Sequence, residues 1–336
     1  MSPAAVGTVH ALGLNENPFQ PLQSVRDALA AALPHANRYP EFLPDRLHRS
    51  IARHTGFGAD QIVVGPGATG VVMYILQEFV APGERVVTAT PTFDGYPLMT
   101  ATVGGESVRV PLTANGYQDL PAMAAAIDAR TRVVVLCTPH NPTGTCIARA
   151  ELDRLLGAVP DRVIVVLDEA YVEFAGAADR PDVHDVLRRH PNVVVLRTFS
   201  KAYGLAALRI GYGIAAPALA ARIGRWQLPF GINSLADVAV TASYAAESEL
   251  AQRIELITRE RDHLGTALRA QGFAVPASSA NFLFIQCGDE ETVRLTTALH
   301  RSGIVVKSYD GAGVRITVAD RSASEAVMRL LAGWES

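Results

Sequence analysis

Val163-Ile164-Val165-Val166-Leu167, closed by Asp168, is the most hydrophobic run in the chain. It is apolar at every position, where a strand with one wet face would alternate. Such a run suits a strand covered on both faces by helices. Working outward, runs of similar length and β-branched content stand at 61–64, 85–89, 107–112 and 132–137 before it, and at 192–197 and 209–214 after it. Amphipathic stretches such as 69–80 and 151–157 separate most of them. The alternation predicts an α/β fold with a mostly parallel sheet flanked by helices.

The texture changes after about residue 235. Leu250, Ile254, Ile257, Leu264 and Leu268 fall at helical spacing within 247–270, and Gly272 supplies a stop. Strand-like segments follow at 281–286, 304–308 and 314–318. The first forty residues hold one amphipathic helix (Val25, Leu29, Leu33) and an irregular stretch. The expected organisation is therefore an N-terminal segment, 1–40, a large domain, 41–235, and a smaller α+β domain, 236–336, which the N-terminal segment joins.

At 336 residues, with 49% hydrophobic and 19% charged residues, the composition is that of a globular chain with ample material for a core. A formal net charge of −3 offers no field for a polyanion, so no nucleic-acid partner is expected. The odd, widely spaced Cys137, Cys146 and Cys287 give neither a disulfide framework nor a metal-ligand pair, and suit a reducing compartment. MSPAAVGTVHALGLNENP has no secretory pattern, and no apolar run approaches the ~20 residues of a membrane span. A cytoplasmic enzyme with no membrane partner and no metal is the expectation.

Gly65-Pro66-Gly67-Ala68-Thr69-Gly70 follows one strand-like run and opens a helix, the context of a phosphate-binding turn. It also matches the dinucleotide pattern G-x-G-x-x-G, yet the next strand runs into Thr90-Pro91-Thr92-Phe93 with no acid for a ribose. Pro66 further removes an N–H from the turn. Thr198-Phe199-Ser200-Lys201 closes another run and sets a lysine between hydroxyls, with Arg209 eight residues on. Hydroxyls and a guanidinium are what a phosphate dianion requires. Asp168 could be a helix N-cap or a buried carboxylate awaiting a cation. A pyridinium nitrogen is such a cation, with Tyr171 placed for a phenolate oxygen of the same ring. A phosphate cradle, a strand-end lysine and a buried aspartate together fit pyridoxal 5′-phosphate, to which Lys201 would form a Schiff base.

Residues 198–211, Thr-Phe-Ser-Lys-Ala-Tyr-Gly-Leu-Ala-Ala-Leu-Arg-Ile-Gly, resemble the Schiff-base segment of fold-type I, class I/II aminotransferases, in the histidinol-phosphate and aromatic amino-acid branch. Leu14-Asn15-Glu16-Asn17-Pro18, Asn37-Arg38-Tyr39-Pro40, Asn141-Pro142-Thr143-Gly144 and Asp168-Glu169-Ala170-Tyr171 resemble further motifs of that family, in its order. The resemblance implies that Lys201 holds the cofactor and shuttles the proton between the substrate's α-carbon and the cofactor. It implies that Asp168 pairs with the ring nitrogen, Tyr171 and Asn141 with the ring oxygen, and that Phe93 stacks on the ring. Ala68, Thr69, Thr198, Ser200 and Arg209 would grip the phosphate, with Tyr39 reaching over from a second subunit. Asn17, Arg315 and Lys307 would meet the substrate, Arg315 through its α-carboxylate. The substrates would be an amino acid and a 2-oxo acid exchanged by a ping-pong mechanism, in a homodimer with shared active sites.

Two departures bear on the substrate. Lys307 stands where relatives commonly carry arginine, and an ammonium cannot copy a guanidinium's two-pronged grip on phosphate. Phe19 and Phe230, if they line the pocket, would favour a ring over a dianion. An aromatic amino acid is thus expected over histidinol phosphate. The rival readings are a phospho-amino-acid decarboxylase of the same fold, a non-catalytic ligand-binding module, and a nicotinamide oxidoreductase.

Overall fold

The computed structural model describes residues 9–334, so residues 1–8 of the segment read for a leader lie outside the described residues. Seven strands form the central sheet: β1 Ile62–Pro66, β2 Arg85–Thr90, β3 Glu106–Pro111, β4 Thr131–Cys137, β5 Ile164–Asp168, β6 Val193–Thr198 and β7 Ile210–Ala215. Their spatial order is β1-β7-β6-β5-β4-β2-β3. Every neighbouring pair is parallel except those made by β7, which runs antiparallel to both β1 and β6. The reversal has a local cause. A parallel return needs a crossover, usually a helix, whereas residues 199–209 fold back as turns and one short 3₁₀ segment, Ala206–Leu208. Lys201 lies in that turnback.

The unbroken apolar runs are explained by two cores, one on each face. Along β5, Ile164 and Val166 enter the core that holds Val71, Ile75 and Leu219, while Val165 and Leu167 enter the one that holds Leu152, Leu155 and Phe199. Alternate residues thus face opposite layers and both layers are dry.

A smaller antiparallel sheet has the order Lys307–Tyr309, Gly313–Thr317, Phe282–Gln286. Helices Glu247–Ala270, Asp289–Arg301 and Arg321–Leu331 accompany it. Leu264, Leu268, Leu283, Leu299, Ile316 and Val327 share its core with Leu12 from the N-terminal segment. His10–Ala11 also pairs with Ile304–Val305, so the chain's beginning is built into this unit.

The structure differs from the sequence reading in two places. The strand expected at 304–308 is broken at Val306, whose N–H donates to His300 Nε2 at 3.2 Å and leaves the ladder. Its halves belong to different sheets. Second, the helix Ser234–Ala245, capped by the Asn233 side chain, sends Ala236, Ala239 and Val240 into a core of the central sheet. Its small residues permit close packing, and the larger core therefore continues past residue 235.

Candidate active site

Ligand sites of α/β sheets lie beyond the carboxyl ends of the strands. Here those ends deliver Cys137 from β4, Asp168 from β5 and Thr198 from β6 to one cleft of about 410 Å³. The small sheet closes the opposite wall with Lys307, Tyr309 and Arg315. Ala68, Thr69, Phe93, Asn141, Tyr171, Ser200, Lys201 and Arg209 also line it.

Asp168 forms the floor. Its Oδ1 accepts the Ala170 N–H at 2.9 Å, and its Oδ2 accepts the Tyr96 hydroxyl. Burial pushes its carboxyl above the usual range, although the Tyr96 hydrogen bond opposes that shift. The Lys201 charge acts on it only from a distance, and among the described residues no ion pair closes on this buried carboxylate.

At one end, Arg209 reaches toward Ser200 Oγ at 3.5 Å and Thr69 Oγ1 at 3.4 Å, and the Thr198 hydroxyl donates to Ser200 Oγ at 3.0 Å. The helix Ala68–Phe79 begins there, adding free backbone N–H groups. At Gly67, whose φ is +79°, a Cβ would crowd the Arg209 guanidinium and force it to move. Hydroxyls, a guanidinium and a helix N-terminus converging in this way suit a phosphate.

Lys201 lies between this cradle and the small sheet. Its Nζ donates to the carbonyls of Leu14 and Asn15, each at 3.2 Å. Burial, with the nearby Arg315 charge, lowers its ammonium to about 8, so a sizeable neutral fraction exists near neutrality. Arg315 donates from Nη1 to Asn141 Oδ1 at 2.5 Å and to Tyr309 Oη at 3.0 Å, and from Nη2 to the Gly13 carbonyl at 2.6 Å. Its buried Nε has no protein partner among the described residues. Arg315 is thus held in place with its Nε–H uncommitted.

Asn17 stands beside the cleft, its Nδ2 donating to the carbonyls of Lys201 (3.1 Å) and Ala202 (2.9 Å). Tyr39 is 85% exposed and lies outside the cleft, with its ring 5.1 Å from that of Phe230. The condition set for Phe19 and Phe230 is not met, since neither lines the cleft. Phe19 packs beneath the Arg253 guanidinium, and Phe230 packs against Tyr39 and Phe42. Both find their partners in distant segments, the helix Glu247–Ala270 for Phe19 and residues 39–42 for Phe230. Among the lining residues given no role by the sequence are Asn15, Tyr96, Tyr309 and Asp94. Asn15, within a quoted motif, donates to Tyr171 Oη at 3.0 Å. Tyr96 follows Phe93 by one helical turn, and Tyr309 shares a strand face with Lys307; both spacings were signals.

Among the described residues no helix is long and apolar enough to cross a membrane. Residues 8–330 match the family model of aminotransferase class I and II, and the chain belongs to that family. It is 43% identical over 328 residues to an aromatic amino acid aminotransferase of Streptomyces coelicolor, covering 97% of this chain and 91% of that one. A namesake from Streptomyces avermitilis is 42% identical over the same shares, 97% and 91%. The structure superposes on a histidinol-phosphate aminotransferase from Sinorhizobium meliloti, in complex with pyridoxal-5′-phosphate, with a TM-score of 0.90 and 29% identity over 97% of this chain and 91% of that one. The protein is an aminotransferase, and its family implies pyridoxal phosphate as cofactor.

Proposed function

We propose that this aminotransferase moves amino groups between aromatic amino acids and 2-oxo acids, with pyridoxal 5′-phosphate held in the cleft described above, as a cytoplasmic homodimer. The observation that carries the reading is one line of groups. The cradle of Thr69, Ser200 and Arg209, the Asp168 floor, Lys201 and Arg315 follow one another through a single cleft.

The residues present fit that cofactor. The raised Asp168 carboxyl becomes a satisfied anion once a protonated ring nitrogen lies against it. Bound there, the cofactor supplies a carbonyl that takes up the amino group and a ring that withdraws electrons. Everything else falls to the chain. Asp168 keeps the proton on the ring nitrogen. Asn141 and Tyr171 orient the ring oxygen, and Phe93 covers a ring face. Ala68, Thr69, Thr198, Ser200 and Arg209 anchor the phosphate, and Tyr39 completes the anchor from the second subunit. The lowered Lys201 amine is competent first as nucleophile and then as the base that takes the proton from the substrate's α-carbon. Arg315 binds the α-carboxylate and Asn17 steadies the Lys201 backbone.

The preference for an aromatic side chain is supported by the relatives at 42–43% identity and by the Leu14, Phe93 and Tyr309 side chains in the cleft wall. The test is kcat/KM for phenylalanine, tyrosine and histidinol phosphate with one 2-oxo acid. Phenylalanine and tyrosine are expected to exceed histidinol phosphate by at least about tenfold, the scale of a desolvated group left without its matched partner. Preference for histidinol phosphate would overturn the substrate assignment.

A further inference from the structure

At the mouth of the cleft, Lys307 Nζ lies 2.7 Å from Asp94 Oδ2. The two residues come from different units. Lys307 stands on the small sheet, directly opposite Arg315 in the register, and Asp94 precedes the helix Gly95–Thr102 beside the central sheet. Both line the substrate cleft, and both also line a second cavity of about 400 Å³ that contains Arg109 and Asp310. With Tyr309, the pair forms the wall shared by the two. Asp94 makes no capping hydrogen bond to its helix, so local folding does not account for its carboxylate.

We propose that Asp94 is a specificity-determining residue of this aminotransferase: by pairing with Lys307 it cancels the ammonium at the cleft mouth and disfavours substrates that end in a phosphate. The inference rests on the substrate reading above and gives it a cause. Lysine's point charge weakens phosphate recognition only mildly by itself. A carboxylate beside it does more, because it repels a dianion and must be displaced from Lys307 before the dianion can be paired. The second cavity is lined by Lys307, Arg109, Asp94 and Asp310, so on that side of the wall the formal charges cancel. Removing the Asp94 charge leaves one net positive charge there. An uncharged ring is indifferent to that balance. A phosphate a few ångströms away is not, since charges at such distances still interact appreciably in water-like surroundings. An arginine at position 307 would remain tied to Asp94, which makes the acid the more telling position to change.

The experiment compares histidinol phosphate with histidinol, which differ only by the phosphate, in the cofactor-loaded wild type, Asp94→Asn and Asp94→Asn/Lys307→Met. The ratio of kcat/KM, phosphorylated over unphosphorylated, is expected to rise about tenfold in Asp94→Asn. It should return to near the wild-type ratio in the double variant and shrink at high salt, as a partly exposed charge effect must. Inorganic phosphate should also inhibit Asp94→Asn more strongly than wild type, which reads anion binding without turnover. An unchanged ratio, or a gain that survives loss of Lys307, would overturn the proposal. The ratio is read whichever amino acid the wild type prefers. A wild type inactive on phenylalanine and tyrosine therefore defeats the aromatic assignment, whereas a static ratio defeats only the role of Asp94.

Discussion

Asp168 illustrates how burial sets a residue's chemistry. Helix capping would need only its geometry, since an amide accepts an N–H as well as a carboxylate does. Holding a proton on a ring nitrogen needs its charge. Asp168→Asn keeps the size and the Ala170 contact but removes that charge. Steady-state kinetics are expected to show a loss of about 10²-fold or more in kcat, ~3 kcal/mol, as for other electrostatic stabilisers. A near-normal kcat would reduce Asp168 to a cap. Asp168 and Lys201 were legible because each terminates an apolar run, and strand ends are where such sheets bind ligands. Asn15 was harder to find, for its partners Tyr171 and Thr317 lie 156 and 302 positions away, and no periodicity encodes such a distance.

Among the elements, the turn between β1 and the helix Ala68–Phe79 is the most constrained. Gly67 combines a left-handed backbone with direct contact to Arg209, so two independent costs meet any side chain there. Gly67→Val is expected to stay folded while weakening pyridoxal phosphate binding about tenfold or more, as the Arg209 guanidinium is pushed off the cradle. Fluorescence titration of the cofactor would show it, and unchanged affinity would remove this turn from the phosphate site. The sequence reading located the central strands to within a residue or two, because double burial leaves an unmistakable pattern. It could not see the direction of β7, set by the turnback at 199–209, or the break at Val306, set by one bond from His300.

Over the whole molecule, the large and small units meet at the cleft through a buried cluster of Tyr171, Phe174, Ala202, Ile257, Phe282 and Val318, and the N-terminal segment adds a second tie. Leu12 packs in the small unit's core, and the next residues carry Asn15 to Tyr171 and the Asn15 carbonyl to Lys201. Neither unit alone holds the full line of groups. Exposed Tyr39, Phe42 and Phe230 form a separate aromatic cluster at the surface, apolar area that the proposed second subunit would cover. On the proposed function, amino-group transfer passes through Lys201 in two separable halves. Mixing the cofactor-loaded protein with excess phenylalanine and no 2-oxo acid isolates the first. Phenylpyruvate should form in a single burst, about one equivalent per subunit as a ping-pong mechanism requires, and resume only when a 2-oxo acid is added. Lys201→Ala should give no burst. Continuous turnover without an acceptor, release of carbon dioxide, or a full burst from Lys201→Ala would contradict the account.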